Sequence, residues 1–395
     1  MKKNNVFENV IGEIESKKTE LINLSKFIWS NPELGYQEYK ACKVLSDFLE
    51  KESFQITRKA AGLDTAFVAV RKGKKDGPCV ALMSEYDALE GLGHACGHNL
   101  FSVSAVGAAF GLSKVIDEIG GSIMVLGTPA EEGTVPNAGG KIPMIEKGLF
   151  DNVDVAMICH AEGRTIIERI LGASAVVEVE YTGKAAHAGG SPHEGINALS
   201  AGILAINNIN ALRQHFLPGA IVNVIISEGG IGQNTIPDKC VLKMSVRADK
   251  KEVLEDLLEK VNNCVKAGAL ATGCKYEISS PKKTYENLVP NHNLALSFKE
   301  ALDYLGVPSI QSETASYGWD AGNVSHVCPT IAPYIKIGKE NLVGHTDEFR
   351  EASNSEEGFD GMLIGAKAMA ITVIDYLTNK ELREKVKTEF EAKVR

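Results

Sequence analysis

The sequence predicts an α/β protein built as two domains, one inserted into the other. Three observations carry that expectation. At 395 residues, the chain exceeds the size at which one hydrophobic core keeps growing. Through its first part, strand-like and helix-like runs alternate, as they do where helices cover both faces of a parallel or mixed sheet. From about residue 174 the order becomes β-α-β-β-α-β, a ferredoxin-like unit that folds as one compact piece. The inserted domain is therefore placed at 174–283, and 1–173 with 284–395 form a discontinuous α/β/α main domain.

The elements follow in order. Helical periodicity runs over 6–30 (Val6, Val10, Ile14, Leu21, Leu24, Ile28) and stops at Asn31-Pro32. A second helix is expected over 36–54. Strands follow at 66–70 and 80–85, the latter nearly all apolar, as in a strand covered on both faces. Asn99 is expected to cap a helix running through the small residues 102–112. Next come a strand at 123–127, a helix at 139–147 and a strand at 153–159. The inserted domain offers an alternating strand at 174–181, a helix at 197–215 and strands at 220–228 and 239–248. It closes with a helix at 251–271 and a strand at 274–279. The remainder adds a helix near 293–305, a strand over 330–337 and a long terminal helix from 356.

Composition narrows the function classes. With 44% hydrophobic and 24% charged residues, the chain has the makeup of an ordinary globular protein. A formal net charge of −9 argues against nucleic acid or an anionic membrane as partner, because both need a basic face. No apolar run reaches the roughly 18 residues of a membrane span. The N-terminus has no apolar signal core behind its lysines, so the protein is expected in the cytoplasm. Eight cysteines without dense spacing indicate no disulfide framework. Buried reduced thiols are expected, Cys96 excepted.

Four segments could carry chemistry. Glu85-Tyr86-Asp87 and His94-Ala95-Cys96-Gly97-His98-Asn99 follow a buried strand, where sites form beyond the carboxyl ends of strands. Cys96 and His98 are two apart, and in a loop bent at Gly93 and Gly97 both could face one ion. Glu131-Glu132 also lies past a strand; two buried carboxylates repel unless a cation neutralises them. In extended chain these neighbours would point opposite ways and take different roles. His160 follows a third strand, and His345 lies in a polar loop. Cys96, His98, Glu132, His160 and His345 are too many ligands for one catalytic zinc, which keeps three and an open position. They suit two divalent ions sharing a ligand and a water.

Taken together, the motifs resemble metallopeptidase family 20, and within it the amidohydrolase subfamily that includes p-aminobenzoyl-glutamate hydrolase and the hormone-conjugate amidohydrolases. The resemblance spans essentially the whole chain. Beyond the segments above it includes Gly183-Lys-Ala-Ala-His187-Ala-Gly, Asn234-x-x-Pro237-Asp238, Arg247, Asp320-x-Gly322-Asn323 and Gly344-His345-Thr346. It implies a zinc-peptidase-like catalytic domain and an inserted lid that makes a homodimer or higher homo-oligomer. It also implies two divalent ions, zinc or manganese, and hydrolysis of the amide in small carboxylate-bearing substrates: dipeptides, N-acyl amino acids or aminobenzoyl-glutamate-like conjugates. Cys96 would bridge the ions, with His98 and Glu132 completing one set and His160 and His345 the other. Glu131 would be the general base, and Asp87 would orient a ligand. His187 would reach a partner subunit's site and polarise the scissile carbonyl, while Asn234 and Arg247 would grip the substrate carboxylate.

Departures from the subfamily pattern are Glu90 in place of proline, Asn99 and Phe101 in place of Asp and His, and Gly318-Trp319 in place of Ser-Thr. The changes at 99 and 101 favour the aminobenzoyl-glutamate and dipeptidase-like branch over the hormone-conjugate one. Trp319 either lines the pocket or packs. His94, His193, His215, His292 and His326 are expected in loops or at the surface without a role. Two rivals are a cysteine hydrolase with Cys96 as nucleophile and a non-catalytic binder on the same fold. The first leaves Glu131, Glu132 and His345 unexplained; the second requires a lost ligand or base, and none is missing.

Overall fold

The computed structural model describes residues 3–394. Strands, in chain order, are β1 (Gln55–Arg58), β2 (Phe67–Lys72), β3 (Cys79–Glu85), β4 (Ser122–Thr128), β5 (Val155–Met157), β6 (His160–Glu162) and β7 (Ile166–Leu171). They continue as β8 (Ala173–Thr182), β9 (Ile221–Glu228), β10 (Lys239–Ala248), β11 (Lys275–Ser279), β12 (Ile310–Ala315), β13 (Thr330–Ile331) and β14 (Tyr334–Lys336). The chain forms two compact units. One comprises Met1–Ile170, Leu288–Ala315 and Asp320–Arg395; the other comprises Leu171–Asn287 and Ser316–Trp319.

The first unit is built on a six-stranded mixed sheet of order β1-β2-β4-β3-β5-β13. β4, β3, β5 and β13 run parallel, and β1 and β2 add an antiparallel edge. β3 is central and buried almost throughout, which is why its sequence reads apolar without alternation. A second, four-stranded sheet has the order β12-β7-β14-β6. Two helices, His98–Ser113 and Glu356–Thr378, pack against each other in the core. All of the former is buried, so small and apolar residues surround its axis and no amphipathic stripe exists. Glu356–Thr378 is long and apolar enough to cross a membrane by composition, yet 83% of its most apolar stretch is buried inside this core.

Several sequence expectations are corrected here. The run 6–30 is two helices, Lys3–Ser16 and Lys18–Ser30, because Lys17 leaves helical backbone (φ −99°, ψ 3°) while the apolar spacing continues across the break. The helix expected over 36–54 begins at Tyr39, after Tyr36 turns through φ +61°. The strand expected over 330–337 is divided: β13 belongs to one sheet and β14 to the other. Asn99 does not cap its helix. Gly97 (φ +78°) takes that place, and the Asn99 amide instead donates to Ser25 Oγ at 2.9 Å and the Ser353 carbonyl at 2.8 Å.

The second unit has the expected β-α-β-β-α-β order, with the antiparallel sheet β11-β8-β10-β9. Its helices, Ala198–Leu212 and Lys251–Thr272, cover one face and enclose a separate core around Val179, Tyr181, Leu242 and Val265. The first is capped by Asn197, whose side chain accepts from the Ser200 N–H at 3.0 Å. The second ends at Gly273 in the left-handed region (φ +77°).

Candidate metal centre

Three adjacent parallel strands deliver the chemistry from their carboxyl ends. β3 ends on Glu85, two residues before Asp87; β4 leads into Glu131 and Glu132; β5 leads to His160. The β3 loop then doubles back to Cys96, and Gly97 starts the buried helix bearing His98. A Cβ on Gly97 would lie 2.5 Å from Ala161 Cβ, so glycine brings this turn against the His160 strand. His345, itself in the left-handed region (φ +61°), is tied to the same loop by its N–H, which donates to the Ala95 carbonyl at 2.9 Å.

The five expected ligands converge in one pocket of the first unit. Cys96 Sγ lies 3.4 Å from His160 Nε2 and 3.6 Å from His345 Nε2, and His345 Nε2 lies 3.5 Å from Glu132 Oε2. Their donor atoms fall into two sets that share Cys96: Cys96, His98 and His160, and Cys96, Glu132 and His345. The resemblance assigns His98 and Glu132 to one ion and His160 and His345 to the other; His98 and Glu132 also fall together in a third set, with Glu131. The His98 and His160 rings stand side by side, with centroids 5.7 Å apart.

Hydrogen bonds fix how each ring faces the pocket. His98 Nδ1 lies 2.9 Å from the Asp87 carbonyl and 3.2 Å from Asp87 Oδ1, which places its proton there and turns the Nε2 lone pair inward. His160 Nδ1 lies 2.9 Å from the Ala161 carbonyl, with the same consequence. Burial pushes the His160 pKa down to about 4, so the ring is neutral, as a ligand must be. Asp87 does two tasks: besides orienting His98, its Oδ2 accepts from the Glu132 N–H at 2.9 Å.

Glu131 and Glu132 both enter the pocket, where they group with His98. The expectation that neighbouring carboxylates point apart holds for a pleated strand. Here the chain turns at Ala130 (φ +55°) and Gly133 (φ +69°) and is not extended. Burial drives the Glu131 carboxyl well above the usual carboxylate range, and Glu85 and Glu132 add to the effect. Glu132 is pushed up to about 7 by burial, with His98 opposing and Asp87 adding. Burial and Glu132 likewise hold the Cys96 thiol well above its ordinary value.

The pocket fits divalent cations. His98 Nε2 and Glu132 Oε1 are buried and have no hydrogen-bond partner, a condition that is costly unless something else ligates them. A cation would also relieve the crowding of acids that raises Glu131, Glu132 and Cys96 together. One thiolate, one carboxylate and three imidazoles form a donor set that suits zinc; carboxylate and imidazole also serve manganese.

Sequence patterns missed one residue of this neighbourhood. Lys141 has no exposed side-chain surface; its Nζ donates to Glu85 Oε2 at 2.7 Å and Asp320 Oδ1 at 2.6 Å. Its N–H also donates to Asp320 Oδ2 at 3.1 Å. The expected histidine roles need one correction: His94 is buried, at 1% exposure, whereas His193, His215 and His292 are exposed. Trp319 is buried at 3% exposure.

His187, Asn234 and Arg247 all lie on the second unit. His187 and Thr235 form a β-bridge, and the Ala188 N–H donates to the Asn234 carbonyl at 2.9 Å, so the His187 and Asn234 segments run side by side. His187 is exposed, and its Nδ1 accepts from the N–H groups of Gly189 at 3.2 Å and Gly190 at 2.9 Å. The proton of the neutral ring is thereby placed on Nε2, as an outward donor. Arg247 stands on β10, partly buried, with Nη1 donating to the Ser316 carbonyl at 2.9 Å.

A discontinuous α/β unit with this ligand pocket, accompanied by a β-α-β-β-α-β unit, defines a metal-dependent amide hydrolase. Comparison with known proteins narrows the class. Residues 173–272 match the peptidase dimerisation domain of the M20 family. The chain is 40% identical over 387 residues to the Xaa-Arg dipeptidase of Mus musculus, covering 94% of this chain and 89% of that protein. It is 29% identical over 340 residues to a p-aminobenzoyl-glutamate hydrolase polypeptide of Escherichia coli, covering 79% and 68%. The fold matches the crystal structure of the Bacillus subtilis YXEP protein, described as a dinuclear metal-binding peptidase of the M20 family. That match has a TM-score of 0.70 at 21% identity and covers 92% and 99% of the two chains. The protein belongs to the M20 family of metallopeptidases and amidohydrolases.

Proposed function

We propose that this protein is a dinuclear metallodipeptidase that cleaves an amide next to a free carboxylate. The observation carrying this reading is the pair of ligand sets that share Cys96. Cys96 would be shared by the two ions, with His98 and His160 holding one and Glu132 and His345 the other. Zinc or manganese bound there would lower the pKa of a shared water and polarise the amide carbonyl. Glu131, whose Oε2 lies 3.8 Å from His98 Nε2, is the general base. It takes the proton of the attacking water and returns it to the departing amine, which must leave protonated.

The family resemblance supplies the roles on the second unit. His187 donates from Nε2 to the developing oxyanion, and such a donor is worth roughly 2.7–4 kcal/mol. Asn234 and Arg247 hold the substrate carboxylate. Dipeptides, N-acyl amino acids and aminobenzoyl-glutamate-like conjugates all carry this amide–carboxylate unit. The name of the murine relative points first to dipeptides with a C-terminal arginine. We read the second unit as a homodimer interface, a view supported by its family match and by the apolar edge strand β9, and we place the enzyme in the cytoplasm. All eight cysteines are free thiols, consistent with a reducing compartment.

A thiol–imidazole nucleophile is the rival, since Cys96 Sγ stands 3.4 Å from His160 Nε2. Its electrostatics run the wrong way. A reactive cysteine needs a lowered pKa, whereas burial and Glu132 raise this one. Glu131→Gln decides between the two: with bound metal retained and turnover lost, Glu131 is the base; turnover near wild type refutes it.

A further inference from the structure

The turn that presents Glu131 is held from outside. Ala130 is fully buried at φ +55°, a backbone region that costs a non-glycine residue about 1–2 kcal/mol. Such a residue persists only where its surroundings over-determine it. The Ala130 N–H donates to Glu38 Oε1 at 2.8 Å, and its carbonyl accepts from the Gly139 N–H at 2.7 Å. Glu38 is itself completely buried, and its Oε2 accepts from Thr65 Oγ1 at 2.7 Å. A Cβ on nearby Gly35 would fall 2.8 Å from Ala130 Cβ, so the segment carrying Glu38 presses directly on the turn. On the other side of Glu131, the Glu132 N–H is held by Asp87 Oδ2 at 2.9 Å. Glu131 thus sits between two backbone amides, each clamped by a buried carboxyl group from a distant segment.

We propose that Glu38 is a positioning residue for Glu131, acting through the Ala130 N–H to fix the left-handed turn that brings the Glu131 carboxylate beside His98. This rests on the reading of Glu131 as general base. Glu38 touches no reacting atom; it removes the freedom of the residue before the base. A misplacement of about 1 Å in a catalytic group can lower the rate about 10²-fold, so loss of the clamp falls on kcat.

The test compares Glu38→Gln, Glu38→Ala, Thr65→Val and the double variant Glu38→Ala/Ala130→Gly. The readouts are kcat, KM, melting temperature and metal content by atomic emission. Glu38→Gln keeps an acceptor oxygen for Ala130 and should stay close to wild type. Glu38→Ala should lose kcat about 10²-fold with KM and metal content unchanged. Adding Ala130→Gly removes the positive-φ penalty, so thermal stability should recover while kcat does not. Recovery of kcat in step with stability would show a merely structural role and overturn the proposal. Wild-type kcat in Glu38→Ala would do the same. Where Glu38→Ala does not fold, Thr65→Val, which frees only Oε2, should show a smaller loss confined to kcat; an unchanged kcat there overturns the proposal. A failure of the base reading is separate, because it appears as turnover by Glu131→Gln.

Discussion

Lys141 is the residue whose removal should be felt most widely. It lies among buried carboxylates, and its two ion pairs hold Glu85 and Asp320 in the interior. Breaking a buried pair by removing one partner leaves an uncompensated charge, typically at about 3–5 kcal/mol. Lys141→Met should therefore lower stability by about that amount in denaturant titrations of the metal-free chain, and a loss under about 1 kcal/mol would refute the assignment. The Lys141–Glu85 pair also sets an acid limit, whereas burial raises the Asp320 carboxyl and its contribution runs the other way. Burial opposes ionisation of Glu85, but its charged surroundings, the Lys141 ammonium first, outweigh it and hold the carboxyl below its ordinary 4.5. A native carboxyl that binds its proton less readily than the unfolded one stabilises the fold above pH 4.5 and loses that contribution as pH falls through its native value. Stability of the metal-free chain should fall on acidification below this point, and Lys141→Met should flatten the acid slope. Cys96, His98, Glu132 and His160 were legible in sequence because each follows an apolar strand, and His345 because it lies in a short polar loop motif. Lys141 was not: its partners lie 56 and 179 residues away, and a lysine at a helix start carries no local mark of burial. Glu38 escaped for the same reason, since its amide partner is 92 residues distant.

Among the elements, β9 is the exposed liability. It closes one edge of its sheet, and Ile221, Ile225 and Ile226 are 48%, 54% and 42% exposed. An unpaired apolar edge is a template for another chain. If this strand forms the homodimer interface, Ile225→Lys should convert the dimer to monomers by light scattering, while its far-ultraviolet circular dichroism stays native. A dimer that survives would move the interface elsewhere. The elements were legible where a continuous apolar run stood out, as in β3 and β4, or where periodicity was strong, as in β8, β10 and the helices of the second unit. What sequence did not separate were breaks made by backbone geometry alone: Lys17 within a continuous apolar stripe, and the passage from β13 to β14 through Ala332-Pro333. Strands β6, β7 and β12 also went unread: β6 has only three residues, and neither β7 nor β12 alternates apolar with polar residues.

Across the whole molecule, the ligand set is assembled from segments that are remote in sequence: Cys96 and His345, which approach within 3.6 Å, are 249 residues apart. The fold that joins them was legible as a class, α/β with an inserted β-α-β-β-α-β unit, because the order of elements survives errors in their ends. The division of ligands between two ions does not follow from chain order, and the donor sets overlap at Cys96, His98 and Glu132. Stoichiometric reconstitution tests the central claim most directly: the chain is stripped with a chelator, zinc or manganese is titrated back, and dipeptide hydrolysis is followed against metal bound per chain. A Cys96-bridged pair predicts no turnover in the stripped chain and full recovery only at two ions per chain. Turnover by the stripped chain, or full recovery at one ion, would contradict it.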